Sequence, residues 1–180
     1  MNLDIGCGLN PMKPLEDWVH LDMDPGPHIE ITTDFGHIPV RDGQVSRIHI
    51  GDVIEHIPKY RWDEVLCEWN RISVMGGIIE GNTPNADRAM RDYAASAETL
   101  HNAMLSLYGW GDRPGQIHYY TFTKDTLTRL MIAYGFEVRD YSSSPGPTSR
   151  PWWLVFRGTK VSEVRPGQVT LNVINLDEGL

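Results

Sequence analysis

The sequence lacks the features that would place it outside the ordinary globular proteins. Its only two cysteines, Cys7 and Cys67, stand in unrelated contexts that match no metal-binding pair, which predicts a reduced, cytoplasmic protein. No apolar run approaches the length of a membrane span, and the N-terminus leads into a predicted strand rather than a signal peptide. We therefore expect no membrane association.

Positive charge is scarce as well. The chain has 16 basic and 24 acidic residues, a net charge of −8. Nucleic-acid binders usually carry a basic patch, so a nucleic-acid partner is not expected.

A length of 180 residues favours one domain with a full core. We expect this domain to span residues 1–160, and the weakly patterned residues 161–180 to form a C-terminal tail or an appended strand.

A glycine-punctuated turn near the N-terminus is the most informative stretch. Residues 3–11, LDIGCGLNP, indicate a short apolar strand that runs into a turn, where Gly6 and Gly8 permit backbone angles closed to other residues. Asp4, ahead of them, suits a ligand with an ammonium or sulfonium group. A dinucleotide-binding site is disfavoured. Its fingerprint has a glycine at the position of Pro11, followed by a helix, and Pro11 and Pro14 disfavour that helix. A structural turn without a ligand is the alternative.

Strand-like and helical patterns alternate along the chain. Strands are predicted at residues 3–5, 18–22, 29–32, 45–50, 78–79, 136–138 and 152–156. Helices are predicted at residues 58–72, 90–109 and 124–134, the last between Thr123, a good N-cap, and Gly135, a C-terminal stop. Residues 83–85, Thr-Pro-Asn, predict a turn. The alternation predicts an α/β fold, a doubly wound parallel sheet with helices on both faces, in which His49 is an unexpected polar residue.

Acidic residues stand at or just past the ends of four successive predicted strands. In a doubly wound sheet, ligands bind outside the carboxyl ends of the strands. We therefore expect these side chains to converge at one edge of the sheet, although each could instead cap its own loop. The four residues are Asp4, Asp22, Asp34 and Asp52.

These residues resemble the motifs of class I S-adenosylmethionine (SAM)-dependent methyltransferases, over residues 3–138. Asp4-x-Gly6-x-Gly8 resembles the family's first motif, Asp22 the acid that binds the ribose hydroxyls, and Asp34-Phe35 the pair that meets the adenine. Residues 52–57, DVIEHI, resemble the segment after the fourth strand, and residues 68–72 and 75–79 resemble the next crossover helix and its P-G-G turn. The opening G-C-G-x-N-P, with HYYTF at 118–122, resembles a small, poorly characterised group of predicted methyltransferases.

The resemblance implies a mostly parallel, seven-stranded Rossmann-like sheet whose last strand is antiparallel, with SAM as the cofactor. The implied cofactor-binding residues are Asp4, Gly6, Cys7, Gly8, Asn10, Asp22, Met23, Asp34, Phe35, Gly51, Asp52 and Val53.

The chain also departs from the family pattern. Asn10 replaces the third glycine of the first motif, Met75 replaces the proline of P-G-G, and the crossover between Gly8 and Asp22 is very short. The N-terminal helices that often cover the substrate pocket are missing from the sequence. The pocket is therefore expected to be open, to be closed by a partner subunit in a homo-oligomer, or to suit a large substrate.

Methyl transfer is an in-line displacement in which the protein mainly positions and desolvates, and a general base helps when the acceptor is a hydroxyl. His118 and His56 are the candidates for this role, with Tyr119 and Glu55 as further ones. Each histidine also has a structural interpretation, because His56 can cap a helix start and His118 can order its loop. Trp110 either forms an apolar wall for an acceptor or packs its own loop.

The sequence leaves three functions open. The leading hypothesis is a SAM-dependent methyltransferase that acts on a small-molecule or sugar acceptor at oxygen. The second is a catalytically silent SAM-binding or assembly module. The third is a metal-dependent glycosyltransferase, because Asp22-Met23-Asp24 matches a D-x-D pattern and lies near His20 and His28. We expect no metal at this cluster, since the ribose hydroxyls are a better use for Asp22.

Overall fold

Seven strands form one sheet among the residues that the computed structural model describes. The described residues are 1–9, 11, 13–95, 97–111, 115–144 and 153–169, without the side chains of 97–99, 143 and 144. The strands are β1 (Asn2–Ile5), β2 (Val19–Asp22), β3 (Ile31–Thr32), β4 (Val45–Gly51), β5 (Ser73–Pro84), β6 (Phe136–Ser144) and β7 (Trp153–Lys160). Their order across the sheet is β3-β2-β1-β4-β5-β7-β6. β7 runs antiparallel to β5 and β6, and the other neighbours pair in parallel. The mostly parallel sheet with an antiparallel last strand is thus confirmed.

Four α-helices are present among the described residues: α1 (Trp62–Ile72), α2 (Ala86–Ala95), α3 (Ala97–Tyr108) and α4 (Lys124–Ala133). Pro58, predicted to open a helix, instead precedes a short 3₁₀ turn at Lys59–Arg61, after which α1 begins. A second 3₁₀ turn, Ile54–His56, follows β4. The long helix predicted at 90–109 is a pair of helices, α2 and α3. Within the described residues, no helix has the length and hydropathy of a membrane-spanning segment.

The ends of α4 follow from local chemistry. The Thr123 hydroxyl accepts a hydrogen bond from the backbone N–H of Thr126, and the Thr126 hydroxyl accepts one from the backbone N–H of Thr123. This reciprocal cap satisfies two donors that the first helical turn leaves unpaired. Gly135 follows the helix with φ of +81°, a conformation that suits glycine. Both predicted ends of this helix are confirmed.

The turn predicted at Thr83-Pro84-Asn85 is wrong. β5 continues through Pro84, and Thr83 and Pro84 pair with Leu154 and Trp153 of the antiparallel strand β7. Proline lacks a backbone donor but still fits at a strand end. The strand also starts earlier than predicted, at Ser73, with a register shift opposite Val45 and Arg47.

One face of the sheet packs against α1 and α4. Alternate residues of each strand point to this face, and its side chains are almost all aliphatic or aromatic. They join the inward stripes of the two helices in one buried cluster, which includes Leu3, Ile5, Ile48, Ile50, Ile79, Phe156, Trp62, Leu66, Trp69, Leu127, Leu130 and Met131. This cluster holds the strand ends in fixed register.

The opposite face carries a row of ionisable side chains, which we call the ionisable row. Each member is directly opposite the next in the strand pairing, and basic and acidic residues alternate along it. The connections that join β1 to β4 contain no helix among their described residues. A groove of about 360 Å³ lies over the part of this face that includes Lys13, Asn82 and four members of the row. The row consists of His20, Asp4, His49, Glu80, Arg157 and Asp140.

Candidate functional site

The turn after β1 presents bare backbone at the carboxyl edge of the sheet. Gly6 and Gly8 have φ of +68° and +63°, and the Gly6 N–H donates to the carbonyl of Leu21 at 2.7 Å. A Cβ at Gly6 would lie 2.5 Å from Val53 Cγ2 and 3.5 Å from the ring of Phe35. The first motif, Phe35 and Val53 therefore meet at one point.

Asp22 joins the end of β2 to this turn. One carboxylate oxygen accepts from the Gly8 N–H at 2.8 Å, and the other accepts from the Asp24 N–H at 3.0 Å. A carboxylate oxygen can accept more than one hydrogen bond, so both oxygens can still bind hydroxyl groups of a ligand. Met23, the next residue, is exposed. Asn10, the remaining predicted contact of this turn, lies outside the described residues.

Asp34 is held in place by a residue that sequence reasoning missed. The Arg61 guanidinium donates to Asp34 Oδ1 at 2.6 Å, and the Gly36 N–H donates to the same oxygen at 2.8 Å. The hydrogen bond from Arg61 lowers the pKa of Asp34 below its ordinary value. Asp34 is therefore ionised at neutral pH and keeps its second oxygen for a donor such as an amino group. Arg61 stands 27 residues away in the sequence, and no motif links it to Asp34.

Asp4 occupies a different environment from the other three acids. It lies inside β1 with only 1% of its surface exposed, and its Oδ1 is 2.6 Å from Nδ1 of His49. Its other oxygen is 3.7 Å from Nε2 of His20. Asp4 is therefore a member of the ionisable row rather than of the open edge. The unexpected polar character of His49 is explained by this pairing.

Asp52 closes the end of β4 in an uncommon backbone conformation. It is the one residue other than glycine with a positive φ, +53°, in the described part of the chain. Its N–H donates to the carbonyl of Asn82 at 3.0 Å, and the Asn82 side-chain amide donates to Asp52 Oδ1 at 2.9 Å. Aspartate tolerates this region better than most residues, and strain held in this way is common at functional sites. Gly51 ends the strand before it.

The thiol of Cys7 is unreactive at neutral pH. Burial, followed by the charges of Asp4 and Asp22, raises the pKa of Cys7 to about 12. The residue therefore contributes backbone groups and a small apolar side chain to the turn rather than a nucleophile.

The two predicted histidines, His56 and His118, come together although they lie far apart in the sequence. Their ring centroids are 4.7 Å apart and the rings are nearly perpendicular, at 72°. His56 Nδ1 is 3.0 Å from the carbonyl of Ile117, and His118 Nδ1 is 2.8 Å from the carbonyl of Ser106. Burial and the neighbouring His118 lower the pKa of His56 to about 4, and burial lowers that of His118. Both rings are therefore neutral at physiological pH.

Glu55 is the acidic neighbour of this histidine pair. It is fully buried, and one carboxylate oxygen accepts from the hydroxyl of Thr83 at 3.0 Å. Its other oxygen, Oε1, is buried without a hydrogen-bond partner among the described residues. Burial and the charge of Asp52 raise the pKa of Glu55 well above its ordinary value. One ligand atom from each of Glu55, His56 and His118 lies within 4.8 Å of the other two.

Backbone hydrogen bonds hold the segment of His118 against the turn of Glu55. The Tyr119 N–H donates to the carbonyl of Glu55 at 2.8 Å, and the His118 N–H donates to the carbonyl of Tyr108 at 3.2 Å. The side chains of Trp110 and Tyr119 are more than half exposed in this region.

The D-x-D pattern around Asp22, at which no metal is expected, does not form a metal-compatible group among the described residues. His20 is buried inside β2, where its backbone N–H donates to Glu30 and its ring Nε2 contacts the carbonyl of Lys13. Asp22 accepts hydrogen bonds from the backbone N–H groups of Gly8 and Asp24 at the glycine turn. Within the described residues, metal-compatible geometry occurs at Glu55-His56-His118 and at Asp34-His37-Glu64, and neither set includes His20, Asp24 or His28.

Neither a protein-family model nor a curated protein matches the sequence, but solved structures do. The fold is similar to 1,6-didemethyltoxoflavin-N1-methyltransferase of Burkholderia thailandensis, solved with 1,6-didemethyltoxoflavin and S-adenosylhomocysteine bound. The TM-score is 0.64 at 14% identity, over 89% of this chain and 71% of that one. It is also similar to a SAM-dependent methyltransferase of Methanosarcina mazei, with TM-score 0.61 and 13% identity over 90% and 92% of the two chains. A SAM-dependent methyltransferase of Archaeoglobus fulgidus gives TM-score 0.58 and 14% identity over 88% and 85%.

These likenesses show that the chain has the fold of SAM-dependent methyltransferases. The fold that the sequence motifs imply is thereby confirmed.

Proposed function

We propose that this protein is a SAM-dependent methyltransferase that transfers a methyl group to an oxygen of a small-molecule or sugar acceptor. The observation that carries the proposal is the meeting of the glycine turn, Asp22, Phe35 and Val53 at the carboxyl edge of a methyltransferase-type sheet. In open α/β sheets this edge is where ligands bind.

The proposed cofactor contacts follow from the chemistry of SAM. Asp22 binds the two ribose hydroxyls, and the ionised Asp34 accepts from the adenine amino group. The backbone of Phe35 faces the adenine ring. The turn from Gly6 to Gly8 receives the methionine part without steric hindrance, because it presents backbone rather than side chains. The proposed contacts of Asn10, Met23, Gly51, Asp52 and Val53 remain predictions. The carboxylate of Asp4 is buried against His49, so we propose for Asp4 only a contact through its backbone.

The proposed reaction is a single displacement. The acceptor oxygen attacks the methyl carbon as the carbon–sulfur bond breaks, and the electron pair of that bond stays on sulfur to give S-adenosylhomocysteine (SAH). The acceptor proton is lost to a neighbouring base or to water. His56 and His118 are the proposed groups on the acceptor side, and Trp110 and Tyr119 form its apolar border. A glycan acceptor, a homo-oligomer that covers this side and a cytoplasmic location also remain predictions.

The decisive experiment measures cofactor binding before activity. Isothermal titration with SAH should give saturable binding, and Asp22→Ala should weaken it by about 1–3 kcal/mol through the lost ribose hydrogen bonds. Asp24→Ala is the matched control, because Asp24 is an exposed acid two residues away, and it should leave the affinity unchanged. Equal affinities in the wild type and in Asp22→Ala would contradict the assignment of Asp22.

The second arm separates the remaining functions. SAH release is measured with a panel of hydroxyl and amine acceptors, and turnover with hydroxyl acceptors supports the proposal. SAH binding without turnover on any acceptor would favour a silent SAM-binding module. Binding of a sugar nucleotide with Mn²⁺, in place of SAH, would favour the glycosyltransferase.

A further inference from the structure

We propose that Glu55, His56 and His118 bind a divalent first-row transition metal ion, and that an acceptor hydroxyl completes its coordination. The metal site stands on the geometry of these three residues alone. The role of the metal toward the acceptor rests on the proposed methyltransferase function.

The first argument is the ligand set. Two imidazoles and one carboxylate supply ligand atoms that lie within 4.8 Å of one another, so small side-chain movements bring them around one ion. Imidazole nitrogen combined with carboxylate oxygen suits Zn²⁺, Mn²⁺, Fe²⁺ and Co²⁺. Three protein ligands leave at least one coordination position for another molecule.

The second argument is the orientation of the histidine rings. The Nδ1 atoms of His56 and His118 each face a backbone carbonyl, at 3.0 Å from Ile117 O and 2.8 Å from Ser106 O. A carbonyl only accepts, so each Nδ1 carries the proton and each Nε2 keeps its lone pair. Histidines that bind metals almost always donate their other N–H to a carbonyl or carboxylate, which fixes the ring and the tautomer. Both rings meet this requirement.

The third argument is the orphaned oxygen of Glu55. Oε1 is buried without a partner among the described residues, although the other oxygen accepts from Thr83. A buried polar atom without a partner is costly, and a buried carboxylate costs more, unless a cation compensates it. A divalent cation between Glu55 and the imidazoles would satisfy Oε1.

The neighbouring groups favour this set over the other candidate. Asp34-His37-Glu64 also has metal-compatible geometry, but Arg61 already forms ion pairs with both of its carboxylates, at 2.6 Å with Asp34 and 3.0 Å with Glu64. No Lys or Arg forms an ion pair with Glu55 among the described residues. The backbone bond from Tyr119 to Glu55 also fixes the two chain segments that supply the ligands.

The chemical consequence concerns the acceptor. A hydroxyl that ligates a divalent cation loses its proton more readily, as bound water does. The resulting oxygen attacks the methyl carbon, the carbon–sulfur electron pair goes to sulfur, and the proton leaves to solvent. His56 and His118 then act on the acceptor through the cation rather than by taking up its proton.

The test titrates the whole protein, stripped of metal with a chelator, with Co²⁺, whose visible absorption reports nitrogen and oxygen ligands. We expect one equivalent to bind. Glu55→Gln, which keeps the shape of the side chain, and His118→Ala should each weaken binding at least about tenfold. His37→Ala, from the other candidate set, is the matched control and should bind Co²⁺ as the wild type does.

SAH titration of each variant shows that it is folded and separates the two proposals. No Co²⁺ binding by a wild-type protein that binds SAH would overturn the metal site and leave the methyltransferase proposal standing. Equal Co²⁺ affinity in wild type, Glu55→Gln and His118→Ala would also overturn it. Co²⁺ binding at these residues without any SAH binding would support the metal site and contradict the methyltransferase function.

Discussion

Gly6 shows how closely the site depends on single residues. Its backbone has φ of +68°, and the space where a Cβ would stand is filled by Val53 at 2.5 Å. Gly8 has a similar φ of +63°, but no atom lies within 4 Å of its missing Cβ. The two glycines therefore separate the cost of the backbone conformation from the cost of the contact.

We predict that Gly6→Ala is more destabilising than Gly8→Ala. Each substitution puts a side chain on a left-handed backbone, which lowers the free energy of unfolding by about 1–2 kcal/mol. Gly6→Ala adds a clash that must displace Val53, with a further cost of about 1–3 kcal/mol. Urea unfolding measures both, and the midpoint of Gly6→Ala should lie below that of Gly8→Ala with an unchanged slope. Equal midpoints would mean that Val53 moves aside freely.

At the residue scale, the sequence predicts groups that belong to a local motif and misses those that meet only in the fold. The order and spacing of Gly6, Gly8, Asp22 and Phe35 along the chain predict them as a group, and the structure brings them together at one turn. Arg61 was missed, since its bond to Asp34 is formed only when the turn after Pro58 packs beside β3. The histidine pair was named from the sequence, but the approach of His56 to His118 depends on the backbone bonds around Glu55.

At the scale of strands, the ionisable row links neighbouring elements by charge. Glu80 of β5 is mostly buried and lies 3.0 Å from Lys13 Nζ and 2.9 Å from Arg47 Nη2. Burial alone would raise the pKa of Glu80, but the hydrogen bonds and charges of Lys13 and Arg47 lower it below its ordinary value of 4.5. This contact attaches the connection after β1 to the centre of the sheet.

We predict a pH signature from Glu80. Because the pKa is lower in the folded state, the unfolded chain binds more protons between that pKa and 4.5. The stabilisation is therefore present in full above about pH 5 and is lost as the pH falls through the folded-state pKa. Glu80→Gln should lower the urea midpoint at pH 7 and lose less stability on acidification than the wild type.

Glu16→Gln, an exposed site on the same connection, is the control and should follow the wild-type pH profile. Parallel profiles for Glu80→Gln and the wild type would contradict the role of this ion pair.

At the element scale, prediction succeeds where the determinants are local. The Thr123 cap and the Gly135 stop lie next to the helix that they bound, so the sequence alone reveals them. The prediction of a turn at Thr83-Pro84-Asn85 was wrong because β5 pairs there with β7, whose residues are about 70 positions away in the sequence. The long middle helix was predicted from one apolar stripe, which does not reveal that the chain forms two helices.

At the scale of the whole molecule, ligand binding and folding are linked. A ligand that binds only the folded state adds about 2.7 kcal/mol of stability at a concentration of 100 times Kd. For a chain of this size, that raises Tm by roughly 5–10 °C. We predict such a shift with SAH in thermal unfolding, and a clearly smaller one for Asp22→Ala at the same SAH concentration. An equal shift in both proteins would place SAH away from the glycine turn.

The fold as a whole was predictable because the strand-end motifs of the first half and the helices that follow β4 leave few arrangements of a parallel sheet. The residues that the structure describes from 161 to 169 also contact the domain, through the bond from the Val164 N–H to Asn70 and that from the Gly167 N–H to Asp63. The weak apolar pattern of this segment gave no sign of these polar contacts. Residues 170–180 lie outside the described part, and the boundary at residue 160 remains a prediction.

The ionisable row has a consequence for the history of the sequence. Each acidic member faces a basic residue type on the adjoining strand, as Asp4 faces His49 and Glu80 faces Arg157. A second acid in place of a basic residue would set two carboxylates side by side, which is unfavourable on a sheet. Among descendants of a common ancestor, we therefore expect these positions to change together, in compensating pairs, while the aliphatic positions between them drift independently.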